Sequence, residues 1–195
     1  MGWASIRGAC VVVGVVGFLA LLGHGQAADR TRSSGDAPPD LQQITQRAGL
    51  IFLGRVEKVE WKHAPGGGPA DRVRISFRVL DGIRGTRTGD DVEVEEWSGL
   101  WIPGDERYRI GETLFLFFYP RSRLGLTSPV AGDSGRLEIT PTQRVMLSPE
   151  RSATLLPRSL RLQKHQAAAS AMRTQRSPVY LQFAEIVREL AAGTP

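Results

Sequence analysis

The apolar positions change period along the chain, and each change marks an element. Residues 1–28 open with Arg7 ahead of a run, 9–22, that is apolar apart from glycines. Residues 29–39 (DRTRSSGDAPP) hold no apolar side chain larger than alanine or proline. From 40 to 48 the spacing of Leu41, Ile44 and Ala48 predicts a short helix, with Asp40 as N-cap and Gly49 ending it. The period then becomes that of strands. Residues 50–61 begin with Leu50, Phe52 and Val56 on one parity and continue with Val59 and Trp61 on the other, so a bulge is expected, with a bend at Gly54. A Gly/Pro loop at 62–70 leads to the clearest alternation in the chain: Val73, Ile75, Phe77 and Val79 against Arg72, Arg74, Ser76 and Arg78. A turn is expected at 81–85, and residues 91–97 alternate again. Residues 112–119 (ETLFLFFY) are almost continuously apolar, as in a strand covered on both faces, and Pro120 stops them. Residues 124–130 and 136–140 are shorter strand candidates. Strands following one another without intervening helices predict a mainly β, antiparallel barrel or sandwich.

Beyond residue 140 the pattern loosens. Residues 141–176 read as an irregular basic segment: 142–161 carry Pro149 and Pro157 without a period, and the Ala-rich 162–176 suggest a loose helix. Residues 177–193 predict an amphipathic C-terminal helix, with Ser177 as cap, Pro178 in the first turn and Gly193 past the end. Its stripe of Val179, Phe183, Ile186, Val187 and Leu190 suits docking on the protein's own core.

Residues 1–28 are read as a signal peptide, because Gly25-Gln26-Ala27 puts small residues where a signal peptidase needs them, with cleavage near Ala27 or Ala28. The apolar core is shorter than the ~20 residues a spanning helix needs. The expected product is exported, periplasmic or extracellular, with a disordered linker at 29–39 and one domain at 40–140. The single cysteine, Cys10, leaves with the signal. Disulfides, thiolate metal sites and a cysteine nucleophile are thereby excluded from the mature chain. The charge is uneven: residues 40–135 hold 13 Lys plus Arg against 14 Asp plus Glu, whereas 136–195 hold 9 against 4. The basic C-terminal part suits either a solvated face or contact with an acidic or membrane surface. Export argues against nucleic acid as a partner.

Three phrases occur in order: FLGRV at 52–56, FRVLDGIRG at 77–85 and YRIGETLFLF at 108–117. With them the middle half of the chain resembles exported bacterial OB-like barrel domains, loosely similar to the netrin module and to tissue inhibitors of metalloproteinases. The resemblance implies a five- to six-stranded antiparallel OB-like Greek-key barrel. It also implies, as an alternative function, an inhibitor or regulator of an exported protease. Those inhibitors resemble one another through an N-terminal cysteine and a disulfide frame that the mature chain lacks, so no inhibitory residue carries over.

Chemistry-bearing motifs are few. Gly132-Asp133-Ser134-Gly135 resembles a serine-protease nucleophile loop, and His63 and Asp105 precede it in the right order. His63 lies in a Pro/Gly loop, however, and the interval to Ser134 is too short for a two-barrel protease, so a turn is the better reading. His63 and His165 stand far apart without ligand spacing, and no nucleotide-binding glycine motif occurs, so neither metal nor cofactor is expected. Residues 95–109 (EEWSGLWIPGDERYR) are the densest candidate site. Trp97 and Trp101, with Asp105, Glu106, Arg107, Tyr108 and Arg109, suit an aromatic contact surface for a protein, peptide or glycan. Two other readings stand beside it. Trp97 can close the barrel end among surface ion pairs, or the carboxylates can serve a hydrolase, although the adjacent Glu95 and Glu96 must point to opposite faces of a strand. The 124–132 loop, with its Thr-Ser-Pro apex, is a second and less specific candidate. The leading expectation is a non-enzymatic binding or accessory module.

Overall fold

The computed structural model describes residues 38–63, 70–102, 106–155 and 177–193, together with Ser170 and Thr174. The fold is mainly β. Five strands, β1 (Leu50–His63), β2 (Ala70–Arg84), β3 (Asp91–Trp97), β4 (Thr113–Phe118) and β5 (Arg136–Glu138), form one antiparallel sheet in the order β3-β2-β1-β4-β5. Helix α1 (Leu41–Arg47) precedes the sheet, while α2 (Pro149–Leu155) and α3 (Tyr180–Ala192) follow it. No helix among the described residues is long and apolar enough to cross a membrane.

The parity change in β1 has a structural cause. The β1–β2 register slips between Val56 and Lys58, so Val59 and Trp61 return to the face that Phe52 and Val56 occupy before the slip. A second slip sits at Leu53/Gly54, where the bend was expected. The 81–85 segment is a correction: residues 81–84 are no turn but the end of β2, with Asp81, Gly82 and Arg84 paired to Leu53, Phe52 and Ile51, and only Gly85 bends. Turn-forming residues yield here to a neighbouring strand that needs partners for its backbone. Residues 124–130 form no strand. They make single bridges, Leu126 to Glu95 and Pro129 to Phe118.

β4 is buried on both faces and divides the core. Phe115 and Phe117 join Ile51, Leu53 and Leu137 beneath α1 and α3, whereas Leu114, Leu116 and Phe118 join Phe52, Val73, Ile75, Phe77 and Val94 on the opposite face. Phe183, Ile186 and Val187 of α3 are fully packed into the first cluster. Each such side chain contributes roughly 1.5–3 kcal/mol of apolar burial before the entropy of ordering is subtracted.

Helix ends follow local chemistry, with two corrections. At α1 the capping box is complete: the Gln43 amide donates to Asp40 Oδ1 at 2.8 Å, and the Asp40 amide donates to Gln43 Oε1 at 3.1 Å. Ser177 does not cap α3, which starts at Tyr180. The preceding residues are held extended, with Val179 bridged to Arg144 and the Val145 amide donating to the Pro178 carbonyl. Within the segment expected to be irregular, α2 forms with Pro149 as its first residue and Ser148 Oγ accepting from the Arg151 amide at 3.2 Å. Unlike α1, this seven-residue helix buries only Ser152 and Leu155, so it shows no apolar spacing in the sequence. The expected loose helix at 162–176 lies outside the described residues, except for Ser170 and Thr174.

The end of β2 fastens both flanking helices. Arg84 donates to the carbonyls of Thr45 (2.7 Å), Ala48 (3.2 Å) and Ala191 (2.8 Å), gathering the C-terminal ends of α1 and α3 onto one guanidinium. Asp81 accepts from Arg188 Nη2 at 2.7 Å and from the Tyr180 hydroxyl.

Candidate functional site

At the C-terminal end of β3 the alternation puts Val92, Val94 and Glu96 on one parity and Glu93, Glu95 and Trp97 on the other. The two neighbouring glutamates therefore meet opposite environments. Glu95 lies on the outer side against two arginines of β2, accepting from Arg74 at 2.8 Å and Arg72 at 3.3 Å. The Arg74 hydrogen bond holds its carboxyl below the ordinary range.

Glu96 points inward and has no exposed surface. Its Oε1 accepts from the Tyr108 hydroxyl at 2.7 Å, and its Oε2 accepts from the Trp101 indole at 3.2 Å. Arg107 Nε stands 3.2 Å from Oε2 as an ion pair without an aligned hydrogen bond. Burial pushes the Glu96 carboxyl above its ordinary range, and the Arg107 charge and the two hydrogen bonds work against that shift. Burial, with Glu96 beside it, raises the Tyr108 hydroxyl well above its usual value, so the phenol remains the donor. The Arg136 guanidinium lies 5.6 Å from the centre of the Tyr108 ring and 3.7 Å from Glu112 Oε1.

This cluster determines where the expected site residues sit. Trp101 and Tyr108 are interior: Trp101 packs edge-on against Trp61 at 5.5 Å, and Tyr108 edge-on against Phe77 at 5.7 Å. They form a base, not an open surface. Trp97 is 57% exposed, its ring lying over Gly99 so closely that a Cβ there would come within 2.5 Å of it. Glu106 and Arg109 are exposed and pair with each other at 3.6 Å. Arg107 is mostly buried and faces Glu96. Asp105 lies outside the described residues.

Three exposed apolar residues at this end of the sheet were missing from the sequence expectation: Trp61, Leu100 and Ile102, the last 69% exposed. Glu96 as a buried acid was also missed, although the sequence held a signal for it. A carboxylate in the inward register of Val92 and Val94, followed by two tryptophans and a tyrosine, signals a buried acid held by aromatic donors.

The other motifs resolve into structural roles. Gly132–Gly135 is a 3₁₀ turn entering β5, and a Cβ on Gly135 would lie 2.5 Å from the Val130 carbonyl oxygen. At the 124–132 loop, Thr127 Oγ1 donates to the Tyr119 carbonyl at 2.6 Å and the Thr127 amide to the Glu95 carbonyl at 2.8 Å. Among the described residues no three His, Cys, Asp or Glu side chains gather as a metal-ligand set. Comparison with known protein families, with curated proteins and with solved structures gave no match to the chain.

Proposed function

We propose that this chain is an exported, non-enzymatic binding or accessory module that meets a protein, peptide or glycan through the Trp97 end of its sheet. One observation carries the reading. Trp97, Leu100 and Ile102 stand open on a short stretch whose next inward residue, Trp101, is tied to Glu96 beneath it. Large apolar side chains held open on a fixed base keep little freedom to lose, so covering them gains apolar burial at low entropic cost.

The non-enzymatic part of the reading rests on the acids. A general acid must reach its substrate. Glu96 has the raised carboxyl such a role wants, yet it is fully covered and both oxygens are engaged. Glu95 is held ionised between Arg72 and Arg74. We further propose that the sheet closes as an OB-like barrel, supported by the Glu95–Leu126 bridge and by Arg121 donating to the Glu93 carbonyl, both joining the free edge of β3 to the chain after β4. Export rests on the signal-like residues 1–28.

Peptide and glycan arrays probed with the purified protein test the reading. Specific capture lost in Trp97→Ala, with the thermal transition unchanged, supports it. Hits that bind Trp97→Ala equally well count against this surface.

A further inference from the structure

The Trp97 indole is held in one orientation by the residue two places after it. Gly99 lies in the 3₁₀ turn Ser98–Leu100 that follows β3. A Cβ placed on Gly99 would stand 2.5, 2.5 and 2.6 Å from Cη2, Cζ2 and Cζ3 of the indole. Three consecutive ring atoms at nearly equal distances put that point above the six-membered ring, not beyond its edge. The Gly99 backbone therefore covers one face of the ring. Trp97 is still 57% exposed, and among the described residues no cation lies over it, so the opposite face stands open.

The polar groups beside the ring are fixed and balanced in charge. Arg72 faces Trp97 across the β2–β3 ladder, and Glu95 lies two residues before Trp97 on the same outer face. Glu95 accepts from Arg72 at 3.3 Å and from Arg74 at 2.8 Å. Asp71 stands 3.9 Å from Arg72, and Glu93 stands 3.9 Å from Arg74. Neither guanidinium is left uncompensated, which argues against an acidic ligand. A peptide added as a further strand is disfavoured too, because the backbone edge of β3 is in use. The Glu95 carbonyl accepts from the Thr127 amide at 2.8 Å, and the Glu93 carbonyl accepts from Arg121.

A sugar ring matches what remains. The C–H groups on one side of a pyranose form an apolar face that an indole covers by dispersion, with the partial positive charge of the hydrogens against its negative π face. The hydroxyls around the rim each donate and accept. Arg72 can donate to them and Glu95 can accept from them, since both side chains keep part of their surface exposed. Ring and ion pair are in place before the ligand arrives, so little ordering is needed on binding. Given the Trp97 contact surface proposed above, on which this ligand class depends, we propose that the open face of Trp97 stacks a sugar ring of a neutral glycan. Arg72 and Glu95 meet its hydroxyls, and Gly99 is the positioning residue behind the indole.

Calorimetric titration of the purified protein with linear hexasaccharides of glucose, xylose, mannose and N-acetylglucosamine tests it, beside a galacturonate hexasaccharide and a proline-rich peptide. At least one neutral sugar should bind, with an affinity indifferent to a roughly tenfold rise in salt. Trp97→Ala should weaken that binding at least about tenfold, and Trp97→Phe should weaken it less, because a smaller ring still stacks. Gly99→Ala should weaken it at least about fivefold with the thermal transition in place, since its Cβ displaces the indole without touching the sugar. Binding by none of the neutral sugars would overturn the proposal. So would preference for the galacturonate, or a Gly99→Ala affinity equal to the wild type. A peptide captured through Trp97 in place of every sugar would sink the glycan and leave the contact surface standing. If no ligand depends on Trp97, both fall.

Discussion

The Tyr108 hydroxyl donates to Glu96 Oε1 at 2.7 Å, joining a residue that follows the 98–106 stretch to the buried end of β3. With Trp101 on the other carboxylate oxygen, a single buried acid holds the chain at two points twelve and five residues away. The open side chains on either side of Trp101, Leu100 and Ile102, inherit a fixed base. Separation of a buried anchor from an exposed contact residue makes the tryptophans experimentally distinguishable.

Trp101→Ala removes an indole packed on Trp61 and Tyr108 and strips Glu96 of a donor. Chemical denaturation should show a loss of roughly 3–5 kcal/mol. Trp97→Ala, at a side chain more exposed than covered, should cost under about 1 kcal/mol in the same measurement. Similar losses for the two variants would mean that Trp97 is part of the core.

Glu96 gives a pH dependence of defined sign. Burial raises its carboxyl in the folded protein above the unfolded value, so the folded state holds the proton more tightly. Its contribution to stability is fully present below the unfolded carboxylate range, about 4.3, and is lost as pH rises through the folded value. Glu96→Gln cannot titrate. The stability of the wild type relative to Glu96→Gln should therefore decline as pH rises from about 4 toward neutrality, read from urea midpoints at each pH. A difference that grows with pH would mean that Arg107 outweighs burial at this carboxylate.

Arg84 serves three carbonyls on two helices. Arg84→Ala should cost about 2–4 kcal/mol, since bonds to a charged donor are the stronger kind and each carbonyl is left to find another partner. Hydrogen exchange should quicken first at the C-terminal turns of α1 and α3. Unchanged exchange there would show that apolar packing alone seats the helices.

The GDSG turn separates two readings by adjacent residues. Gly135→Ala should destabilise by more than about 2 kcal/mol, because its Cβ would meet the Val130 and Phe117 backbone. Ser134→Ala should leave stability and ligand capture unaltered. A Ser134→Ala variant that folds normally and loses a hydrolytic activity would restore the nucleophile reading.

Much of the sheet could be read from alternation, because a pleated strand buried on one face repeats every two residues. β2 and β3 follow the parity of Val73 to Val79 and of Val92 to Glu96, and the slip in β1 was visible as the jump from Val56 to Val59. The remainder depends on partners distant in sequence. Asp81 and Gly82 carry turn chemistry but pair with Leu53 and Phe52; Ser177 has capping chemistry but precedes a stretch bridged to Arg144. At the candidate site, Trp97 and Trp101 are indistinguishable by residue type. Only Glu96, reached by the Trp101 indole, draws one of them inside.

Collisional quenching, in the protein prepared without residues 1–28 and with Trp61 replaced by phenylalanine, tests the Trp97 surface most directly when run with and without an array-identified ligand. Before ligand is added, the signal should divide into an accessible fraction from Trp97 and a shielded one from Trp101. Saturating ligand should then protect the accessible fraction. An accessible fraction that quenches equally in the bound state would mean that the ligand sits elsewhere and that Trp97 is not the contact surface.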